Sequence, residues 1–375
     1  MGDSVSGSTN YAAITINDSL LTTNMSSPLT YAQGRRGFMI GFSNSDYDHL
    51  CVADVLAAND VIRVHDDGTG NSTDGRSFLA VSRLSSSSNG ILYAQTGNGY
   101  GSTNTLIRKY TGLQRNSGGS DIHYVTSAAN GDSMVVDTAG VYMFCASDYK
   151  TSVNGYFGLT VNDSAVSTSI DSTTYAQGRR AVWYGTNSNQ VKQICFMDNM
   201  SVNDVIRVKS KTGNLMDSSN EGAYFFGVKL GSAQTSHIFY ETGNGHGSVN
   251  THYRKFSTQN KYSGNDISVM PSSRRGTQYK IETAGTYGIC YQEYISSGVL
   301  QHGIDINGIA ATTVPSTPLE YADGINASQY HTSTLVAHQQ CMSRYLKPGD
   351  IVSPHDGSNG TTTDIYENFL IQRIN

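Results

Sequence analysis

The chain copies itself at a distance of 144 to 146 residues. TGNGYGSTNT at 96–105 returns as TGNGHGSVNT at 242–251, and TYAQGRR at 30–36 returns at 174–180. NDVIRV at 59–64 returns letter for letter at 203–208. VDTAGVY (136–142) is matched by IETAGTY (281–287), and TINDS (15–19) by TVNDS (160–164) and DINGI (305–309). Weaker third versions read EYADGIN (320–326) and GDIVSP (349–354). A period this long exceeds any solenoid unit, so each copy predicts a complete domain. Copy two spans 88–230 and copy three 231–375. Copy one, 1–87, holds only the later half of the pattern, from TINDS through NDVIRV to FLAVSRL. It lacks the glycine loop and the TAG-Y strand. The cysteines follow the same arithmetic: Cys51, Cys195 and Cys341 are equivalent late-half positions, and Cys145 and Cys290 equivalent early-half positions.

Within each copy the apolar residues alternate. In GVYMFCAS, Val141, Met143 and Cys145 face one way and Tyr142 and Phe144 the other; in YFGLTVND, Phe157, Leu159 and Val161 share a face. The closing strand recurs as FLAVSRL, YFFGVKL and FLIQRIN. Period-two alternation marks half-buried antiparallel strands. Gly, Ser, Asn and Asp clusters separate them, and no window reads as a long amphipathic helix. Charged residues make up only 15% of the chain, which favours short strands and polar turns. The expected fold class is all-β: tandem antiparallel jelly-roll sandwiches, two complete and one partial.

The order within a copy is a glycine loop, NTLIRKYTG, DTAGVYMF, a strand ending in ND, NDVIRV or PGDIV, and a closing apolar strand. This order resembles the jelly-roll head of complement-type globular heads and the tumour necrosis factor superfamily. The residues that carry it are Gly140, Tyr142, Phe144, Asp204, Val205, Phe226, Val228 and Leu230, with Gly285, Tyr287, Gly349, Asp350, Ile351, Phe369 and Ile371 in copy three. The variant with GNGHGS-NT and R-K-F is similar to tandem modules in fibre and structural proteins of tailed phages. The resemblance implies trimers that act as binding or structural ends of fibres. It also implies that Cys145 neighbours Cys195, and Cys290 neighbours Cys341, across adjacent strands. A disulfide in each full copy would close a loop of 50 or 51 residues and stabilise by about 4 kcal/mol in the chain-entropy model. The alternative, small buried thiols, is favoured at this point, because the N-terminus shows no secretory signal and cytosolic assembly is reducing. Cys51 has no partner.

The motifs carry little chemistry. A dinucleotide loop needs a strand before it and a helix after it. Here LIRKYTG and HYRKFST follow, both strand-like, so the glycines predict tight turns. Two acidic loops, 65–75 and 355–364, offer Asp66, Asp67, Asp74, Asp356 and Asp364 as calcium candidates. Copy two places KSKTGNLMDSS at that point, so the reading preferred is a solvated turn, with no cofactor. There is no CxxC and no Cys–His cluster at zinc spacing. No GxSxG or HExxH motif occurs, and residues such as His246 and His252 change identity between copies (Tyr100 and Leu106 in copy two), which argues against an enzyme. The paired basic residues Arg35–Arg36, Arg179–Arg180, Arg108–Lys109 and Arg254–Lys255 predict edge protection or pairing with acids across copies. A net charge of −5 leaves no footprint for nucleic acid, and no apolar run is long enough to insert in a membrane. The 24 tyrosines suit subunit interfaces or glycan and protein binding. The sequence therefore predicts a non-enzymatic virion protein, a phage fibre or capsid-decoration subunit, forming a homotrimer or polymer. Copy one would attach it to other virion proteins, and copy three would face a host surface glycan or protein. The alternative is a subunit of an extracellular bacterial filament or adhesin on the cell surface, joined end to end through copy one.

Overall fold

The computed structural model describes residues 2–4, 10–18, 31–41, 47–66, 79, 81, 91–103, 106–116, 119–150, 155–185, 190–211, 222–234, 236–247, 252–295, 300–308, 324–331, 336–356 and 366–375. Every described element longer than a three-residue turn of 3-10 helix is a β-strand, and every strand pair is antiparallel.

Copy two is a jelly roll of two five-stranded layers. One layer runs Gln190–Met200, Gly140–Lys150, Tyr224–Gly231, Ile91–Tyr100, Arg108–Asn116; the other runs Arg179–Gly185, Gly155–Val161, Val205–Ser210, Ser133–Val136, Ile122–Val125. Copy three repeats the order: Val336–Leu346, Gly285–Ile295, Asn368–Arg373, His237–His246, Arg254–Ser263 in one layer, and Ile325–His331, Leu300–Ile306, Ile351–Asp356, Gly276–Ile281, Ile267–Ser272 in the other. Between the layers of copy two lie Phe144, Phe157, Leu159, Val208 and Met134, all at most 1% exposed. Tyr279, Tyr291, Ile304 and Phe369 fill the same space in copy three.

The repeated motifs hold the corners. Asn17, Asn162 and Asn307 adopt positive φ of 55°, 51° and 56° at the end of equivalent strands, a conformation that Asn tolerates better than most residues. Each then clamps the NDV or GDI turn. Asn162 Nδ2 donates to Asp204 at 2.7 Å, and its Oδ1 accepts from Val205 N–H at 2.9 Å. Asn17 does the same with Asp60 and Val61, and Asn307 with Asp350 and Ile351. In the TAG-Y motif the tyrosine hydroxyl donates back to the chain, from Tyr142 to Thr138 O and from Tyr287 to Thr283 O, both at 2.7 Å.

The glycine loops are architecture too. Gly99 and Gly245 take φ of +69° and +68°. Gly97 and Gly243 make room for a buried arginine. A Cβ on Gly97 would stand 2.1 Å from Arg108 Nη2, and one on Gly243 would stand 1.2 Å from Glu367 and 2.5 Å from Arg254 Nη2. Arg108 pairs with Asp148 at 2.8 Å, and Arg254 with Glu293 at 3.0 Å and with Glu367, all of them buried.

Copy one supplies one layer's strands Ile62–Asp66, Asn10–Ile16 and Arg35–Gly41, and a short pair, Gly2–Ser4 with Tyr47–His49, from the other. The register Gly2↔His49 is that of Ser147↔Gln193 in copy two. Nothing among the described residues pairs with the outer edge of Ile62–Asp66. In copy two the equivalent edge is covered, with Val205 opposite Val135 and Ile206 opposite Met134.

Candidate functional site at the junction of the three copies

The three copies form a closed ring. Strand Arg35–Gly41 of copy one continues into Gln190–Met200 of copy two, with Ile40 opposite Val191. Its equivalent, Arg179–Gly185 of copy two, continues into Val336–Leu346 of copy three, with Gly185 opposite Val336. Ile40↔Val191 implies Gly41↔Gln190, so the two joints share one register. The third strand of this type, Ile325–His331 of copy three, packs against Tyr47–His49 of copy one. The joints therefore run one to two, two to three, and three back to one.

A latch secures each of the first two joints. In TYAQGRR the second arginine stacks on the tyrosine, Arg36 over Tyr31 at 4.0 Å and Arg180 over Tyr175 at 4.1 Å. The same arginines face Asp54 and Asp198, three residues past the cysteine. A cation of the next copy reaches each acid, Arg115 to Asp54 and Lys261 to Asp198. The next copy also receives the tyrosine, Tyr31 against Tyr93 at 4.8 Å and Tyr175 against Phe239 at 5.1 Å. Arg179 adds a buried bond to Glu241 of copy three at 3.1 Å. Burial alone would raise the Asp198 carboxyl, but His237 and Lys261 beside it outweigh that and hold it below the usual carboxylate range. Copy three has Ile325 and Asn326 where the other copies have arginines, and among the described residues copy one offers no counterpart of Tyr93 or Arg115 to receive a latch.

At the centre the three equivalent cysteines meet. The residue two places before each cysteine bonds the cysteine N–H of the preceding copy. Gln193 accepts from Cys51 at 2.7 Å, Gln339 accepts from Cys195 at 2.6 Å, and His49 Nδ1 accepts from Cys341 at 3.4 Å. Gln193 also donates to Cys51 O and to the Tyr224 hydroxyl, each at 2.8 Å. This circle brings the Sγ atoms of Cys51, Cys195 and Cys341 within 4.8 Å of one another. Cys145–Cys195 and Cys290–Cys341 are disulfides, each joining residues directly opposite in adjacent strands. The preference for free thiols in these four residues is thus corrected: the register holds each pair side by side. Cys51 is a free thiol, 3.2 Å from Cys341 O and 3.5 Å from His49 Nδ1. Burial pushes the Cys51 thiol up to about 11 and the His49 imidazole well below its ordinary value, so both are neutral at pH 7.

Asp67, Asp74 and Asp364 lie outside the described residues. Asp66 ends its strand opposite Ala12. Asp356 is fully buried and meets His246 Nε2 at 3.1 Å. Among the described residues, the cysteine trio is the one group of three close metal-type donors. His246, His252 and His355 lie in a row in copy three, the first pair edge-on and the second stacked, with ring centroids 6.0 and 6.3 Å apart. Burial and the two neighbouring imidazoles lower the pKa of His252. Sequence reasoning missed His49, Gln193, Gln339, Asp54 and Asp198. The available signal was their fixed spacing from the equivalent cysteines.

No protein-family profile matches the chain, and no curated protein matches it in sequence. Among solved structures, murine APRIL at pH 5.0 aligns with 37% of this chain and 99% of its own, at 7% identity and a TM-score of 0.27. The pH 8.0 form of murine APRIL aligns with 38% of this chain and 99% of its own, at 14% identity and a TM-score of 0.28. The isomalto-dextranase of Arthrobacter globiformis T6, complexed with panose, aligns with 67% of this chain and 36% of its own, at 10% identity and a TM-score of 0.18. The jelly-roll assignment rests on strand order and register.

Proposed function

We propose that this chain is a non-enzymatic structural protein, a fibre or capsid-decoration subunit of a phage virion, in which a ring of jelly rolls serves as a rigid head. The observation that carries the reading is the ring itself. Two joints repeat one register and one latch, and a circle of hydrogen bonds from cysteine N–H groups to Gln193, Gln339 and His49 side chains spans all three copies. Such a head holds its loops at fixed positions, which is what display and docking require. In this reading the three copies of one chain, joined about one axis, form the head. The buried carboxylates Glu293 and Glu367 expose no surface to a substrate, and Arg254 fills the space between them. That supports a binding or structural role over glycan hydrolysis. Antibodies to the purified chain should label particles from its source by immunogold microscopy. Labelling confined to cell-surface filaments, or turnover of a host surface glycan, would overturn the reading.

One observation favours the alternative of end-to-end filaments. The exposed large hydrophobic residues include Val55, Leu56, Val61, Val64, Leu79 and Val81, all in copy one. A strand edge that no described residue pairs with, bearing exposed Val61 and Val64, is suited to strand addition by another polypeptide. Negative-stain images of the purified chain at rising concentration distinguish the two: isolated heads for the virion reading, filaments for the alternative.

A further inference from the structure

The three late-half cysteines come from three different copies and still place their sulfurs within 4.8 Å of one another. Their backbone N–H groups are already bonded outward, to Gln193, Gln339 and His49. That circle fixes the cysteine backbones and leaves the sulfurs facing each other at the axis. Cys195 and Cys341 are nearly fully buried, at 2% and 4% exposure. The imidazole Nδ1 of His49 is 3.5 Å from Cys51 Sγ, but its lone pair already accepts the Cys341 N–H. Soft thiolates suit zinc-class ions. A metal–sulfur bond of about 2.3 Å sets three sulfurs about 4 Å apart, so a contraction of less than about 1 Å would complete the set.

We propose that, when its disulfides are reduced, the chain binds one thiophilic zinc-class metal ion on the axis through Cys51, Cys195 and Cys341. The oxidised chain instead carries the two disulfides and one isolated thiol. Interconversion requires a dithiol or phosphine reductant, which delivers two electrons and two protons to each disulfide and frees four thiols. Cys145 and Cys290 stay as thiols on their own strands, opposite Cys195 and Cys341. The metal displaces one proton from each of Cys51, Cys195 and Cys341 and joins all three copies at a single atom. The oxidised chain is cross-linked only within copies two and three, whereas the metal joins the three copies to one another.

The test uses the full chain, reduced with a phosphine and held without oxygen, and titrated with Co(II) and then Cd(II). The expected result is one Cd(II) per chain, with a thiolate-to-cobalt charge-transfer band in the Co(II) form. Cys51→Ser should weaken binding at least about 100-fold, because it removes one of three sulfur ligands. In the Cys145→Ala/Cys290→Ala chain, Cys195 and Cys341 have no disulfide partner, so one Cd(II) should bind without reductant. Far-UV circular dichroism of each variant confirms that it is folded. No binding by the reduced, folded chain, a Co(II) spectrum without the thiolate band, or undiminished binding by folded Cys51→Ser would each overturn the proposal.

Discussion

Val64 and Val208 are the same residue in the same strand of two copies, yet Val64 is 41% exposed and Val208 1%. The strand that carries Val64 is built as well as its counterpart. It pairs in register with Asn10–Ile16, and its turn is clamped by Asn17 as the turn of copy two is clamped by Asn162. What differs, among the described residues, is the cover. In copy two the strands Ser133–Val136 and Ile122–Val125 extend the layer, and the layer containing Gly140–Lys150 closes over it. The comparison teaches that strand formation here is local, whereas burial depends on the other half of the jelly roll. Copy one is held by its neighbours through the Asp54 latch, the Gln193 bonds and the axis.

The largest expected difference between complete and partial copies lies in the buried ion pairs. Arg108→Ala should cost about 3–5 kcal/mol by removing the guanidinium that neutralises the buried Asp148 carboxylate, read as a lower urea midpoint. Arg36→Ala in copy one should cost about 1 kcal/mol or less, because its partner Asp54 keeps Arg115. Equal costs would break the contrast. Next comes the valine pair itself. Val208→Ala should destabilise by about 2 kcal/mol and Val64→Ala by under about 0.5 kcal/mol. If both cost the same, the face bearing Val64 is covered in solution.

A pH scan sharpens the joint between copies two and three. Asp198 is held below the usual carboxylate range in the folded chain, so its contribution to stability is full above the unfolded value of about 3.9 and fades as pH falls below it. The stability lost between pH 6 and pH 3 should shrink in Asp198→Asn. An unchanged loss would show that other carboxylates set the acid limit. A further effect is expected at the ring of hydrogen bonds. Gln193→Ala should cost about 1–2 kcal/mol, and it should raise hydrogen exchange at the Cys51 amide more than at the Cys341 amide.

Much of this was legible along the chain. The repeat at 144 to 146 residues and the period-two alternation are local signals, and they lead to the strands and turns of an all-β fold. The glycine loop reads as a turn because strand-like sequence follows it, although its second role needed the fold: nothing in TGNGYG says that Gly97 faces a buried Arg108. The ring was not legible as a closed object. Its contacts join residues 142, 144 and 292 apart in sequence, and periodicity carries no information on how one copy meets the next. The clue lay in the differences between copies. TYAQGRR keeps its arginines only where a following copy supplies Arg115 or Lys261, and EYADGIN does not. The disulfides were misjudged because compartment was weighed above register, while direct cross-strand opposition decides which sulfurs meet.

The central claim is that one chain closes the ring, and Cys51 tests it most directly. In the Cys145→Ala chain, Cys195 loses its disulfide partner and stands beside Cys51. A mild disulfide-forming oxidant should then link Cys51 to Cys195 within single chains, with the mass of one chain retained on a non-reducing gel and the linked peptides found by mass spectrometry. Chains joined to one another through these residues, or Cys51 and Cys195 both remaining as thiols in the folded protein, would contradict the account.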